Sequence, residues 1–529
     1  MEEFPKSLED QSKSEVKQIS EDRINFKLSL RKKKFNEILI KKRIASTKPE
    51  ESPWSLELFL SELKLPAQYK IKFDEEKELI SVALKSIKSD DILTLKYGIC
   101  LFKNYINSFI DDNNPHFYIN LNFVSDLLNL LEKWGEKQEK QIIFNILNLL
   151  TNYSYINNNK LISKIILSSK GYKIWELCFN LQNYEIMSQM IWVLSNITFN
   201  DEEASYNLLK SNLFQQKIFN FYNNPTVISH LNEDNKNNLF FFIIERGLCL
   251  LKNLLLSESS STYNKEENYK LFIQIFNLIL KYSDSNSPAI FHICVYIITK
   301  SISNERRLIN LLDNSNLLND ILNKKFFSDE KIVVLCNRIL GEYTEMKANL
   351  SQDFYDKCIK YEIDILFNAK ESKTIVELFW VLSNILHDNI NSGEIICLNE
   401  PFIDKVLYIF KNSIDFNYIK EISYFFLILC KTVKTNTFIQ LLNKGLFDIT
   451  FEHAKNTLDE PKKLILIFEL IKLYLDTGDF FEENFGGKNI IKEKCDNYGL
   501  IDLLKKYEYT ENVELNDIIE KIMNDYYIK

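Results

Sequence analysis

The sequence predicts an all-α protein built from a repeating unit of two or three helices. The 529 residues include only 11 Gly and 9 Pro, too few for folds that depend on many tight turns. Apolar residues recur at helical spacing over much of the chain, and one pentapeptide occurs twice. A hydrophobic content of 46% excludes disorder for most of the chain.

Helices are expected from about Trp54 onward. In four segments, apolar residues fall at positions i, i+3, i+4 and i+7 between clusters of Asn, Ser, Asp or Lys: Phe123–Lys133, Ile142–Leu150, Lys331–Leu340 and Leu464–Leu475. Many of the helices are apolar around most of their circumference and therefore need neighbours on more than one side. Two polar insertions, 223–238 and 257–268, are expected to be surface loops.

Internal repeats predict the architecture. The pentapeptide Trp-Val-Leu-Ser-Asn occurs at 192–196 and at 380–384, and the chain has only five Trp, so composition does not explain the match. Related segments place equivalent positions at 144, 192, 249, 295, 338, 380 and 424. A period of about 40–47 residues made of two or three helices is typical of HEAT and armadillo arrays, which stack into a superhelix with a long concave surface.

The charge is uneven along the chain. Residues 23–43 carry nine basic side chains and one acid, Glu37, so this arm is +8 and the formal net of −8 leaves −16 on the other residues. Apolar residues at helical spacing predict that the arm is a helix. A basic arm suits an acidic protein partner or the acidic body of the molecule itself; a tail for nucleic acid or a membrane surface is the alternative. Its basic residues are Arg23, Lys27, Arg31, Lys32, Lys33, Lys34, Lys41, Lys42 and Arg43.

Several classes of protein are disfavoured. The nine cysteines are scattered without a CxxC pair and the five histidines lie far apart, so we expect no metal site, no cofactor and a reduced compartment. The first residues are polar and acidic, unlike a signal peptide, and no apolar run approaches the length of a membrane span. We find no nucleophile–base motif and no phosphate-binding loop, so an enzyme is not expected.

A basic N-terminal helix followed by repeats that carry Trp-x-x-x-Asn resembles importin-α, the adaptor of nuclear import. The resemblance covers nearly the whole chain. Residues 23–43 are similar to the family's importin-β-binding helix, which has an R-I-x-V-x-V-x-L-R-K core and ends in a K-R-R run. The resemblance implies an armadillo-repeat right-handed solenoid of about ten repeats over residues 51–529. It also implies a basic helical arm, partly disordered, over residues 1–50.

The resemblance also implies binding residues. In the family, Trp and Asn one helical turn apart line a groove, where the indoles clamp the aliphatic stems of Lys and the Asn amides bind the peptide backbone. Carried over to this sequence, the major site for nuclear localisation signals (NLS) is Phe144, Asn148, Trp192, Asn196 and Asn253. The minor site is Arg338, Glu377, Trp380, Asn384, Glu421 and Tyr424.

This sequence departs from the family pattern, mostly in the major site. Phe144 and Cys249 stand where the family has Trp, and Asn200 stands where the third repeat usually has an acid. In the minor half, Tyr424 replaces a Trp and Glu342 replaces an Asn. Because each missing indole removes a wall from a lysine slot, we expect altered selectivity or weaker binding of simple signals.

These observations predict an adaptor that binds Lys/Arg-rich signals of cargo proteins and couples them to importin-β through the arm. Lys41, Lys42 and Arg43 resemble such a signal, so the arm is expected to compete with cargo for the groove. An export receptor for recycling is an expected further partner, nucleic acid and membranes are not, and the expected location is the cytoplasm and nucleus. The alternative is a scaffold derived from the same family that no longer reads these signals.

Overall fold

A computed structural model describes residues 76–112, 122–156, 160–199, 201–229, 239–257, 266–413, 415–456, 461–485, 488–507 and 510–528. These residues fall into two compact units, divided between Leu213 and Phe214. Helices are the only regular elements in the described ranges, which contain no strand, so the all-α prediction is confirmed.

The first unit contains eight α-helices within the described residues. They are α1 (Glu76–Ile87), α2 (Ile92–Asp112), α3 (Asn122–Glu136), α4 (Lys140–Ile156), α5 (Lys160–Ile166), α6 (Ser169–Asn180), α7 (Tyr184–Thr198) and α8 (Glu202–Lys210). Helix α4 packs against α2 on one side and α7 on the other, so these three helices form a row.

The second unit begins with shorter helices and continues with longer ones. They are α9 (Phe219–Tyr222), α10 (Pro225–Ser229), α11 (Leu239–Leu255), α12 (Glu266–Tyr282), α13 (Pro288–Asn304), α14 (Leu317–Leu322), α15 (Glu330–Met346), α16 (Gln352–Asn368), α17 (Ser372–Asp388), α18 (Asn391–Leu398), α19 (Glu400–Asn412), α20 (Phe416–Thr432), α21 (Thr435–Leu441), α22 (Phe447–Asn456), α23 (Pro461–Phe485), α24 (Ile490–Asn497), α25 (Leu500–Tyr507) and α26 (Val513–Tyr526). A 3₁₀ segment covers Arg306–Asn314, and π-helical segments cover Leu213–Ile218 and Leu442–Leu446.

The four helices predicted individually are confirmed, because they lie within α3, α4, α15 and α23. The polar residues between apolar segments begin helices: the side chains of Asn183, Asp329 and Asn399 each accept a hydrogen bond from a backbone N–H of the first turn. Each such cap stabilises a helix by about 1 kcal/mol. The described part of the predicted loop 223–238 includes a short helix that begins at Pro225, a residue suited to the first helical position. The predicted loop 257–268 is wrong at its end, because α12 begins at Glu266.

The long helices of the second unit also form a row. Helices α11, α13, α15, α17, α20, α23 and α26 each pack against the next helix of that series. Hydrogen bonds join residues 40 to 45 apart in both units: Asn196 to Thr151, Asn384 to Gly341, Lys444 to Asp404 and His453 to Phe410. The spacing of these bonds matches the period read from the sequence and is what stacked repeats require.

The row helices are buried on more than one side. In α7, every residue from Ile186 to Thr198 is buried. In the second unit, Phe379 of α17 and Phe425 of α20 are fully buried, with ring centroids 5.3 Å apart. Burying an aromatic side chain of this kind contributes about 1.5–3 kcal/mol, so contact between repeats is a main source of stability.

Candidate functional site

Trp380 is the more accessible of the two tryptophans in the identical pentapeptides. It lies on α17 and is half-buried, whereas Trp192 is only 7% exposed. The indole lies directly against the backbone of Gly341 on α15: a Cβ placed there would come 2.5 Å from Cε3 and 2.8 Å from Cη2 of Trp380. Among the described residues, the ring contacts no cation and no other aromatic ring, and its N–H donates no hydrogen bond.

Asn384 lies one turn after Trp380 on the same helix. Its side-chain amide donates a hydrogen bond to the backbone carbonyl of Gly341 at 3.0 Å. The residue is half-buried, and its Oδ1 accepts no hydrogen bond from the described residues. Since one N–H is used to fix the side chain, the oxygen and the second N–H remain for a ligand.

A buried ion pair lies beside these two residues. Arg338 of α15 and Glu377 of α17 are separated by 3.7 Å between Nη1 and Oε1, and both side chains are almost wholly inaccessible. Glu377 is three residues before Trp380, so it lies on the same side of α17. A desolvated pair of this kind is costly to break, so it holds α15 and α17 in register beneath the site.

Tyr424 supplies the next aromatic side chain of the row, on α20. It is half-buried, and its hydroxyl makes no hydrogen bond within the described part of the chain. Burial raises the pKa of Tyr424, and the carboxylates of Glu421, Glu469 and Glu345 raise it further. Those three carboxylates come from three different helices, so the surroundings of Tyr424 are electronegative and suited to a cation.

Glu342 stands four residues after Arg338, at the position where the resemblance led us to expect an Asn. It is 2% exposed, and its Oε1 lies 3.5 Å from the hydroxyl of Ser303 on α13. Burial raises the pKa of Glu342, as do Glu345 and Glu377, whereas Arg338 and Arg306 lower it. The replacement of Asn therefore puts a buried carboxyl in the row and does not present a second amide to a ligand.

In the first unit, Trp192 and Asn196 are more deeply packed, whereas Phe144 and Asn148 are half-buried. Asn196 is 3% exposed and donates to the carbonyl of Thr151 at 3.0 Å and to the hydroxyl of Ser154 at 3.4 Å. Its Oδ1 is buried and accepts no hydrogen bond from the described residues. The amide of Asn196 is therefore used inside the unit, and neither it nor Trp192 offers the access that Asn384 and Trp380 offer.

These hydrogen bonds also show which residues of α4 in the first unit correspond to residues of α15 in the second unit. Asn196 bonds to Thr151 as Asn384 bonds to Gly341, so Thr151 corresponds to Gly341. Three residues earlier, Asn148 corresponds to Arg338. The buried Asn152 then corresponds to Glu342, and Phe144 lies one turn before Asn148. The predicted equivalence of positions 144 and 338 is therefore displaced by one helical turn in the structure. The binding roles of Phe144 and Asn148 stay predictions.

Asn253 lies on α11 in the second unit and is 5% exposed. Arg246 lies two turns before Asn253 on the same helix and was not among the predicted site residues. It is half-buried, with its guanidinium 6.0 Å from the centre of the Phe242 ring. Burial lowers the pKa of Arg246 to about 9. Arg246 precedes Cys249 by three residues, as Glu377 precedes Trp380, and this spacing is the signal that would have identified it.

The basic arm lies outside the described residues. This applies to Arg23, Lys27, Arg31, Lys32, Lys33, Lys34, Lys41, Lys42 and Arg43, and Asn200 is likewise not described. In the described ranges, no group of His, Cys, Asp and Glu is arranged to hold a metal ion. Nor is any helix in those ranges long and apolar enough to cross a bilayer. Seven of the nine cysteines are buried, and all nine are free thiols.

Comparison with known proteins finds no matching family model and no matching curated protein. Two engineered proteins of known structure are similar to part of the chain, with TM-scores of 0.39 and 0.38 and 10% sequence identity each. Both alignments cover 47% of this chain, and they cover 97% and 95% of the engineered proteins. Scores this low carry no argument about function.

Proposed function

We propose that this protein is a nuclear import adaptor, a divergent armadillo-repeat solenoid of the importin-α type with about ten right-handed repeats. The observation that carries the proposal is the pair Trp380 and Asn384, which is half-exposed, fixed by Gly341 and provided with unused hydrogen-bonding atoms. The recurrence of hydrogen bonds at 40 to 45 residues supports the repeat architecture.

The ligand is an extended peptide rich in Lys and Arg. Trp380 and Tyr424 lie on adjacent helices of the row, and their rings form the walls against which the aliphatic stem of a lysine packs. Each cation–π contact is worth about 0.5–2 kcal/mol. The carboxylates of Glu421 and Glu469 add long-range attraction, and the Asn384 amide fixes the direction of the peptide backbone.

The arm of residues 1–50 couples cargo binding to importin-β. Its Lys41-Lys42-Arg43 run competes for the same surface when the arm is free, at an effective concentration on the order of millimolar. Importin-β removes this competitor by binding the arm, so binding of importin-β and cargo is positively coupled. The adaptor then shuttles between cytoplasm and nucleus, and an export receptor recycles it.

A direct test uses fluorescence anisotropy with a labelled Lys/Arg-rich peptide and the full chain. The matched control is the same peptide with its basic run replaced by alanine. The proposal predicts that the basic peptide binds, that importin-β strengthens this binding, and that deletion of residues 1–50 has the same effect as importin-β. Equal binding of the two peptides would refute signal reading. Unchanged affinity after the deletion would refute autoinhibition by the arm.

A second candidate function is an armadillo scaffold that no longer reads these signals. It is favoured by the first unit, where Trp192 and Asn196 are buried and the Asn196 amide is bonded internally. The two candidates differ in the role of Trp380, since a scaffold does not need a half-exposed indole there. Weaker peptide binding in Trp380→Ala supports the adaptor, and the absence of any binding by the unaltered chain supports the scaffold.

A further inference from the structure

We propose that Gly341 is a positioning residue that seats both Trp380 and Asn384 for ligand binding. The inference rests on the proposed function, because it deepens the account of the same site. Gly341 lies on α15, outside the set of residues expected to touch a ligand, and acts through α17.

A side chain at position 341 would collide with the Trp380 indole. Non-bonded carbon atoms pack best at about 3.5–4.0 Å. A Cβ on Gly341 would lie 2.5 Å from Cε3 and 2.8 Å from Cη2 of the Trp380 indole, so no residue except glycine leaves room for the ring in this position. The six-membered ring of Trp380 therefore lies against bare backbone, and this contact sets how deep the indole sits.

The backbone of the same residue contacts Asn384. The carbonyl oxygen of Gly341 accepts the hydrogen bond from the Asn384 side chain at 3.0 Å. Asn384 makes no other hydrogen bond to the described residues, so this bond alone orients its amide. One residue thus holds both members of the Trp-x-x-x-Asn pair, one through its missing side chain and one through its carbonyl.

The first unit provides an internal comparison. Thr151 on α4 occupies the corresponding position, since its carbonyl accepts the equivalent hydrogen bond from Asn196. Thr151 carries a branched side chain, whose hydroxyl lies 3.4 Å from Oε1 of Gln189 on α7. The Trp of that repeat is 7% exposed, whereas the Trp that lies on glycine is half-buried. The identical pentapeptides thus face different residues on the preceding row helix, and only the second has a glycine against its indole.

The experiment measures binding of a fluorescein-labelled Lys/Arg-rich peptide to the full chain and to Gly341→Ala. The control is Gly393→Ala on α18, another crowded glycine of the same unit, where a Cβ would lie 2.6 Å from the Thr432 hydroxyl oxygen and would have Thr432 and Val433, not Trp380, as its nearest neighbours. Gly341→Ala is expected to weaken binding roughly 2- to 30-fold, the range of one cation–π contact. Gly393→Ala is expected to leave the affinity unchanged.

Two further measurements separate positioning from a general loss of structure. In protein labelled with 5-fluorotryptophan, the ¹⁹F resonance that disappears in Trp380→Phe should move in Gly341→Ala, while the resonances of the other four Trp stay in place. In a Trp380→Ala background, where the clash is relieved, adding Gly341→Ala should weaken binding no further. If Gly341→Ala fails to fold but the double variant folds, the steric contact is established by that rescue.

An unchanged peptide affinity in Gly341→Ala would overturn the inference. So would a result in which Gly341→Ala lowers the peptide affinity by the same factor in the Trp380→Ala background as in the unaltered chain. Failure of both the single and the double variant to fold would also overturn it, since glycine would then be needed for another reason. If the unaltered chain does not bind the peptide, the proposed function fails. The ¹⁹F resonance of Trp380 then still decides whether Gly341 seats the indole.

Discussion

A buried carboxyl between α15 and α16 should make the stability of the second unit depend on pH. Glu362 and Asn337 are both 0% exposed, and the Asn337 amide donates to Oε2 of Glu362 at 3.2 Å. The remaining oxygens, Oε1 of Glu362 and Oδ1 of Asn337, are buried without hydrogen-bond partners among the described residues. A proton on Oε1 would let the carboxylic acid donate to Oδ1, so the neutral form of Glu362 suits both groups.

The sign of the effect follows from the pKa. Burial raises the pKa of Glu362 well above its ordinary value of 4.5, and the hydrogen bond from Asn337 lowers it only in part. Because the folded-state pKa lies above the unfolded one, the folded unit holds a proton that the unfolded chain has lost. This contribution to stability is therefore fully present below the unfolded pKa and is lost as pH rises toward the folded pKa.

The magnitude is set by linkage. Within that window, each pH unit removes at most about 1.4 kcal/mol from the free energy of unfolding. Glu362→Gln carries no charge and offers an N–H to Oδ1 of Asn337 and an oxygen to its amide. The variant should lose the pH dependence without creating a cavity. Relative to the unaltered protein, it should become progressively more stable as pH rises above 4.5.

The assay is hydrogen exchange of the amides in α15 and α16, measured at several pH values and constant ionic strength after correction for intrinsic exchange rates. The control is Glu371→Gln, which removes an exposed carboxyl from the same unit. A stability difference between the unaltered protein and Glu362→Gln that does not change with pH would refute the reasoning. A difference that changes in the opposite direction would also refute it.

Three further predictions concern other parts of the chain. Trp192→Ala should destabilise the first unit by about 3–5 kcal/mol because the Trp192 side chain is buried. Trp380→Ala should mainly weaken peptide binding. Urea unfolding and peptide-binding anisotropy of both variants test this contrast. Gly445 has a φ of +106°, so Gly445→Ala should cost about 1–2 kcal/mol in thermal unfolding, and Gly445→Asn should cost less. The Tyr527 hydroxyl donates a hydrogen bond to Asp496 at 2.6 Å, so Tyr527→Phe should speed hydrogen exchange of the amides in α26. Unchanged exchange would contradict a role of this hydrogen bond in docking α26.

Much of the fold was predictable because it depends on local and periodic signals. The Asn, Asp and Ser residues between apolar segments mark helix starts, and Asn183, Asp329 and Asn399 act as caps in the structure. The period of about 40–47 residues read from the repeated segments is matched by hydrogen bonds between residues 40 to 45 apart. These features need only the residues of one helix, or the distance between two similar ones.

The exposure and the contacts of the site residues were less predictable from the sequence. The pentapeptides at 192–196 and 380–384 are identical, yet Trp192 is buried and Trp380 is half-exposed. On the preceding row helix, the carbonyl that accepts the hydrogen bond from the Asn side chain belongs to Thr151 in one case and to Gly341 in the other, and neither pentapeptide encodes this difference. Likewise, Asn337 and Glu362 lie on two different helices, and the sequence of neither helix indicates that the two side chains are hydrogen-bonded. A sequence window does not contain such contacts.

The most direct test of the account is calorimetric titration of a bipartite Lys/Arg-rich signal peptide into protein lacking residues 1–50. Trp380→Ala and Trp192→Ala are titrated in parallel, after each has been shown to fold. We expect micromolar or tighter binding that is weakened about 2- to 30-fold in Trp380→Ala and largely kept in Trp192→Ala. Absence of binding by the arm-less protein, or binding that is unaffected by Trp380→Ala, would contradict it.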